Sequence, residues 1–376
     1  MFSLVRTLLK KKTFLLRAEG DSMVPMLMSG DSVEYERCSF SKLRVHDIIL
    51  FKKNKELIAH RIIFKTQTYV ITRGDSNTKA DGKILRRYII GRAIKIKRRD
   101  STTPIENVYK AQSNIFLNEI ILVKKALDKG KTQFAVMNGL PVNLYYENKH
   151  LKRISDEIDL LISGESMEKC SNTLLKLGYL RQPSSLFGIH PNHKRIFAKE
   201  IGTGKIIVNL NTQPQFLMNR LTVINNIYPQ SKLIQFSKKM LVETEQIYFH
   251  KEKIQILSPD YMFIYLSLMF FHNNFQGIFR LELLREIVKK ARFSKKKQME
   301  IASTIIDYRL ERYIYPVFVQ LLRFFPDIKN YIHIIQDRIK QNNMHHLLVG
   351  KLFPSIFNNE PQIQASVRRL ILILIV

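Results

Sequence analysis

The sequence predicts an α+β chain of several domains: a small, mostly antiparallel β domain, then an α/β domain, then a mainly helical C-terminal part. Three observations predict it. Residues 32–97 hold short β-branched and aromatic runs divided by turn residues, with no sustained 3.6-residue period. Beyond residue 97 helical and strand patterns alternate, as they do in α/β units. From residue 258 onward apolar residues recur at helical spacing. At 376 residues the chain accommodates two or three such units. The predicted divisions are 1–97, a linker and helix over 98–130, an α/β segment over 131–257 and the helical region 258–376.

Taken in order, the first notable stretch is Gly20-Asp21-Ser22-Met23-Val24-Pro25, closed by Gly30-Asp31. Gly20 permits backbone shapes that other residues resist, and Pro25 fixes its own φ and biases Val24 towards an extended conformation. Ser22 is thereby held on a tight turn. Strands are predicted at 45–51, 57–63, 69–72 and 88–96. His60 lies inside the second, where a packed core role is its ordinary reading. Asp75 and Asp81 lie in the loop after the third, where carboxylates are common turn formers.

The boxes Gly-Asp-Ser-Met-x-Pro, Asp-Ile-Ile-Leu-Phe, Ala-His-Arg-Ile and Gly-Asp-Ser-Asn…Asp over residues 18–97 resemble the catalytic domain of type I signal peptidases, in the branch that uses a Ser/His pair. The resemblance implies a small β peptidase domain with Ser22 as nucleophile, His60 as general base, and Asp81 orienting the imidazole. Asp75 would brace the turn after Gly74. Gly20, Met23 and Pro25 would shape the turn whose Ser22 N–H contributes to an oxyanion hole. Gly20 stands where some relatives carry an assisting Ser, and His46 where relatives usually have Gly. This reading requires no cofactor for the peptidase. The expected partner is a peptide or protein with small residues at the cleavage site.

Signal peptidases carry a membrane helix ahead of the Ser box. Here Arg6, Lys10, Lys11, Lys12 and Arg17 interrupt the lead-in, which falls short of the roughly 20 apolar residues of a span. The expectation is therefore a cytoplasmic protein without a transmembrane anchor, at most peripheral at a membrane. Cys38 and Cys170, far apart, suggest neither a disulfide framework nor a zinc site. The formal charge of +29 admits an anionic surface or polyanion as a second partner, although the basic residues are spread along the chain with no nucleic-acid motif.

After a helix with Phe116, Ile120, Val123 and Leu127 on one face, residues 134–139 read as a strand running into a turn at Gly139. The run Arg153-Ile154-Ser155-Asp156-Glu157-Ile158-Asp159-Leu160-Leu161 follows. Glu157 and Asp159 flank one apolar residue, so on a strand both carboxylates share a face. That is the geometry a two-metal phosphoryl-transfer site requires, with carboxylates converging on Mg²⁺. The same spacing also suits solvated strand residues.

Over residues 131–295 the chain resembles a family of uncharacterised nucleotidyltransferase-fold proteins: the Gly139 turn, Arg153…Glu157-x-Asp159, the step Leu177-Gly178-Tyr179, a strand through Asn209 and Asn211, and Ser258-Pro259-Asp260 opening a helix. The resemblance implies Glu157 and Asp159 as Mg²⁺ ligands and a nucleoside triphosphate as ligand, with Gly139, Arg153 and Asn209 around it. Glu157 stands where relatives have Asp, and Asn209 and Asn211 where they have an acid and a His. Taken together, these readings predict a serine endopeptidase of signal-peptidase type whose nucleotidyltransferase-like domain aids substrate binding. The alternatives are a Mg-dependent nucleotidyltransferase with a non-catalytic peptidase-like module, or a non-catalytic binding protein.

Overall fold

The computed structural model describes residues 11–54, 56–77, 80–138, 157–183, 193–201, 204–214, 228–249, 252–273, 275 and 278–340. The chain forms two compact units, one built mainly from residues up to Asn118 and the other mainly from those beyond it. Mixed α and β structure with antiparallel pairing is present, as predicted.

Among the described residues the first unit forms an eight-stranded sheet. Its strands are β1 (Thr13–Arg17), β2 (Ser32–Glu36), β3 (Ile48–Lys53), β4 (Glu56–Lys65), β5 (Tyr69–Arg73), β6 (Lys83–Leu85), β7 (Ile89–Arg98) and β8 (Ser101–Pro104). Their order is β1-β2-β7-β3-β4-β5-β6, with β8 added to β7. Two apolar clusters anchor it. Met23, Met26, Val33, Tyr35, Leu50 and Ala93 belong to one, and Ile49, Phe51, Ile62 and Val70 to the other. Leu50 and Phe51 fall in different clusters because successive side chains of a strand leave by opposite faces. The start of the segment 98–130, predicted as a linker and helix, instead contains a strand: Arg98 pairs with Ser101 and Lys95 with Pro104 across the β7–β8 hairpin. Edge strands tolerate such polar side chains and a terminal proline, because one side of the ladder has no partner to satisfy.

The linking helix α1 (Ile105–Lys129) starts earlier than the apolar face alone suggests. In its first turn Ile105 and Val108 pack against the core of the first sheet. It ends where Gly130 and Lys131 turn the chain, Lys131 in the left-handed region.

Among the described residues the second unit holds a seven-stranded mixed sheet. Its strands are β9 (Phe134–Met137), β10 (Glu157–Ile162), β11 (Leu180–Arg181), β12 (Lys194–Ile201), β13 (Gly204–Asn211), β14 (Thr244–Phe249) and β15 (Glu252–Leu257), in the order β11-β12-β13-β10-β9-β15-β14. β10 runs parallel to β13 and antiparallel to β9. Ile158, Leu160, Leu161 and Ile162 are all buried, so this central strand is covered on both faces, with Asp159 the one charged residue among them.

Helix α2 (Met167–Lys176) follows β10 and stops at Gly178, whose φ of +83° ends the helix in the conformation glycine adopts most cheaply. That stop delivers Tyr179 into the core, where its hydroxyl donates to Glu119 Oε1 at 3.1 Å and Lys199 Nζ donates to the same oxygen at 2.7 Å. Helix α3 (Gln230–Val242) precedes the β14–β15 hairpin.

The C-terminal part is helical as predicted: α4 (Pro259–His272), α5 (Ile278–Ala291), α6 (Lys295–Asp307), α7 (Glu311–Phe324) and α8 (His333–Arg338). Apolar residues at helical spacing, such as Phe263, Leu266 and Phe270, are only part of what α4 buries. Met262, Ile264, Tyr265, Leu268 and Phe271 are buried as well, so this helix is enclosed on all sides. Ser258 occupies its N-cap with Pro259 next, but the Ser258 hydroxyl donates to Asp260 Oδ1 at 2.6 Å instead of accepting a backbone N–H. Among the described residues, no helix is long and apolar enough to cross a membrane.

Candidate functional site

The second sheet places Asp159 at its centre. The parallel register sets Asp159 beside Asn209 of β13, and the antiparallel register sets it opposite Met137, the residue before Asn138. Two amides therefore converge on one carboxylate. Asn209 Nδ2 donates to Asp159 Oδ1 at 3.0 Å, and Asn138 Nδ2 donates to Oδ2 at 2.8 Å. Asn138 reaches it from a left-handed turn with φ of +72°. Asp159 is only 7 % exposed, and a buried carboxylate requires such donors because desolvation is otherwise costly. Asn211, one alternation further along β13, donates to the Asn209 carbonyl at 3.2 Å and so belongs to the support of the site.

Glu157 precedes Asp159 by two residues on the same strand and is exposed. The buried Tyr265 of α4 senses both carboxylates: burial first, then the charges of Asp159 and Glu157, push its hydroxyl well above the usual tyrosine range. Asn138 and Tyr265 were not among the residues singled out from sequence. Asn138 was legible only as an ordinary turn residue at a strand end, and Tyr265 only as one more apolar position in a helix. Gly139 and Arg153, predicted to lie around the nucleotide, fall outside the described residues.

The other predicted constellation also comes together, in the first unit. The Ser22 turn is clasped by Ala18 N–H donating to the Asp31 carbonyl at 2.7 Å and by Arg98 gripping both Asp31 oxygens, at 2.9 and 2.8 Å. Gly20 has φ of +77°, Met23 is buried, and the Val24–Pro25 peptide is cis. His60 on β4 lies between Ser22 and Asp81. Its Nδ1 is 2.7 Å from Asp81 Oδ2 and its Nε2 is 2.9 Å from Ser22 Oγ. With the Nδ1 proton directed to the carboxylate, Nε2 is the acceptor for the Ser22 hydroxyl. Thr72 Oγ1 donates to the same Asp81 oxygen at 2.7 Å, and Lys53 Nζ to the Asp81 carbonyl at 2.7 Å. Neither was singled out beforehand.

Asp75 stands apart from His60. Arg61 donates to both its oxygens, through Nε at 2.7 Å and Nη2 at 2.6 Å, while Arg61 Nη1 reaches the His46 carbonyl at 2.9 Å. Gly74 explains the tight approach of that loop: a Cβ there would lie 2.5 Å from the Ser22 carbonyl oxygen. His46 has φ of +81°, a left-handed conformation that glycine adopts more readily.

The model of an uncharacterised nucleotidyltransferase family matches residues 99–325. No curated protein sequence is a significant match. Among solved structures, the solution structure of the antibiotic-resistance factor ANT(2'')-Ia is similar at 12% identity and a TM-score of 0.34, over 52% of this chain and 92% of that one. A crystal structure of ANT(2")-Ia in complex with adenylyl-2"-tobramycin is similar at 13% identity and a TM-score of 0.34, over 51% and 97%. An antigenic nucleotidyltransferase-like protein from Paracoccidioides brasiliensis is similar at 12% identity and a TM-score of 0.37, over 59% and 94%.

The family match corrects the main functional expectation. The chain was expected to be a serine endopeptidase, a hydrolase of signal-peptidase type with the transferase-like domain as an aid to binding. The family covers the larger part of the chain and is one of transferases, so that reading is withdrawn in favour of the nucleotidyltransferase alternative. The hydrogen-bonded chain Ser22–His60–Asp81 remains as a feature of the first unit, and peptide hydrolysis is not assigned to it.

Proposed function

The chain belongs to the uncharacterised nucleotidyltransferase family, and from that premise we propose that it binds a nucleoside triphosphate at the β10/β13 strand pair and transfers its nucleoside monophosphate group. The observation that carries the reading is Asp159, a buried carboxylate fixed by Asn138 and Asn209 with Glu157 two residues before it.

The donor set suits one Mg²⁺. Such ions take one or two protein carboxylates and complete their shell with phosphate oxygens and water, and Glu157 and Asp159 supply two. Each Asp159 oxygen accepts one amide hydrogen and keeps a lone pair for a cation. When bound, the ion would offset the negative charge of the phosphates at the α-phosphorus.

The chain's own residues do the rest by position. The two amides hold the Asp159 carboxylate in one orientation, so little reorganisation is required when a nucleotide arrives. Tyr265, buried in α4, stays protonated at ordinary pH and adds no competing charge. Asn209 donates to Asp159 and, being an amide, does not take a proton from an acceptor alcohol.

Pyrophosphate release tests the reading. The full chain with Mg²⁺ and each of the four common nucleoside triphosphates should release pyrophosphate above the buffer rate, and chelation or Asp159→Asn should abolish the excess. Equal release by the wild type and Asp159→Asn would sink it.

A further inference from the structure

We infer that the first unit binds the phosphate backbone of a single-stranded nucleic acid, in a basic cleft built by the start of β1, the end of β2 and the turn between β6 and β7. The inference stands independently of the transferase reading.

The cleft has a volume of about 530 Å³ and is lined by Lys11, Lys12, Arg37, Cys38, Ser39 and Arg86. These residues are scattered in sequence, and the sheet gathers them. β1 pairs antiparallel with β2, and one step beyond the Thr13–Glu36 pair the Arg37 N–H donates to the Lys12 carbonyl at 2.9 Å. Lys12 and Arg37 are thereby neighbours. Arg86 opens the single turn of 3-10 helix that follows β6. All four basic side chains are exposed.

Like charges gathered in one recess repel, and carboxylates would ordinarily offset them. Among the described residues none lines this cleft. The two acids of β2 are engaged with β7 instead: Glu36 accepts from Arg92 Nε at 3.1 Å, and Glu34 lies 3.3 Å from Lys95 Nζ. The recess therefore keeps a concentrated positive potential that an external anion completes.

The lining selects the anion. Guanidinium forks such as those of Arg37 and Arg86 match pairs of phosphate oxygens, the two lysines add point charges, and the Ser39 hydroxyl adds a donor. No aromatic ring is among the lining residues, so the cleft grips phosphate and does not read bases. The volume falls in the range of roughly 300–1,000 Å³ that encloses one small ligand, which admits the sugar-phosphate of a single strand but not a duplex or a flat bilayer.

Basic side chains also continue past the cleft. Ser39 Oγ is 3.0 Å from Ser41 Oγ, and the Ser41 carbonyl accepts from Lys65 Nζ at 3.4 Å. The Arg86 N–H donates to the Thr68 carbonyl at 3.4 Å, beside Tyr69, whose ring Lys83 covers at 5.1 Å. A compact oligophosphate would fill the recess and leave Lys65 and Lys83 unused, whereas a strand can follow the row.

The experiment measures fluorescence anisotropy of a labelled mixed-sequence single strand of about 12 nucleotides, the scale of such sites, titrated with the full chain at several salt concentrations. The triple variant Lys11→Gln, Lys12→Gln, Arg86→Gln should bind on the order of a hundredfold more weakly near 0.1 M salt, with a logarithmic salt slope shallower by about 2, since each lost contact removes about 0.7. Lys97→Gln, Lys169→Gln, Lys238→Gln, an equal loss of exposed charge elsewhere, should bind within a few-fold of the wild type. The charge-keeping triple Lys11→Arg, Lys12→Arg, Arg86→Lys should retain binding, which a misfolded first unit would not. Failure of the wild type to bind, or equal weakening in both glutamine triples, overturns the cleft as the site. Tripolyphosphate or a duplex of the same sequence that binds as tightly as the strand, and is lost in the same variant, overturns the single strand as ligand. So does a loss seen only with phosphatidylserine vesicles.

Discussion

Asp159 and Asn209 sit side by side on parallel strands, and the amide of one holds the carboxylate of the other at 3.0 Å. Asn209→Leu removes a charge-assisted hydrogen bond in a buried setting, which costs about 1.5–3 kcal/mol. Asn209→Asp replaces attraction with repulsion between two buried carboxylates. That variant should melt below the wild type in the absence of Mg²⁺ and recover more than the wild type does when Mg²⁺ is added. Melting curves with and without the ion decide this.

Asp75→Asn should be among the most damaging single changes in the first unit. Its partner Arg61 has a side chain only 4% exposed, and the variant withdraws the carboxylate from that guanidinium. Breaking a buried pair on one side costs about 3–5 kcal/mol. Denaturant midpoints should show it, with Arg61→Lys less severe than Asp75→Asn because a charge partner survives.

Gly74→Ala tests the close approach of the loop to the Ser22 turn. Backbone, not a flexible side chain, lies 2.5 Å from the added Cβ, so the loop must shift. The expected signature is a loss of about 1–3 kcal/mol, the cost of overpacking, together with altered imidazole signals from His60 in a nuclear magnetic resonance spectrum.

Legibility from sequence followed the range of the interactions concerned. Strands β3, β4, β5 and β7 were legible because Ile48–Phe51, Ile62–Phe64, Val70–Thr72 and Ile89–Ile96 carry β-branched and aromatic side chains in short runs. β8 was not, since Ser101, Thr102 and Thr103 are polar and are held as a strand only by the β7 edge. Glu157 and Asp159 could be placed on one face by alternation alone. That Asn138 would approach Asp159 depends on the β9–β10 register, which no local pattern encodes. The same holds for Thr72 on Asp81, nine residues apart and joined by a loop. The peptidase expectation was built on the first quarter of the chain; the family that determines membership covers residues 99–325.

Alkaline pH should loosen the second unit through Cys170. Burial pushes its thiol from an ordinary value of 9.0 up to about 11. A raised pKa means the fold favours the neutral thiol, so the contribution is fully present below pH 9.0 and is lost as the pH climbs towards about 11. Cys170→Ala should flatten the decline of stability across that window. Native Cys170 should also alkylate far more slowly near pH 8 than it does in the urea-unfolded chain.

The core of the helical part offers a check on packing. Phe263 is fully buried, with its ring centroid 5.3 Å from that of Phe318 in an edge-to-face arrangement. Phe263→Ala should cost about 3–5 kcal/mol, and Phe263→Leu about half of that, read as shifts in denaturant midpoint.

The central claim is that Glu157 and Asp159 hold a nucleoside triphosphate through one Mg²⁺. Titration calorimetry of the full chain with a non-hydrolysable nucleoside triphosphate, run with Mg²⁺ and again with chelator, tests it most directly. The account predicts one binding event that requires Mg²⁺ and is weakened at least tenfold in both Glu157→Gln and Asp159→Asn. Binding of equal strength with and without Mg²⁺, or undiminished in Asp159→Asn, would contradict it.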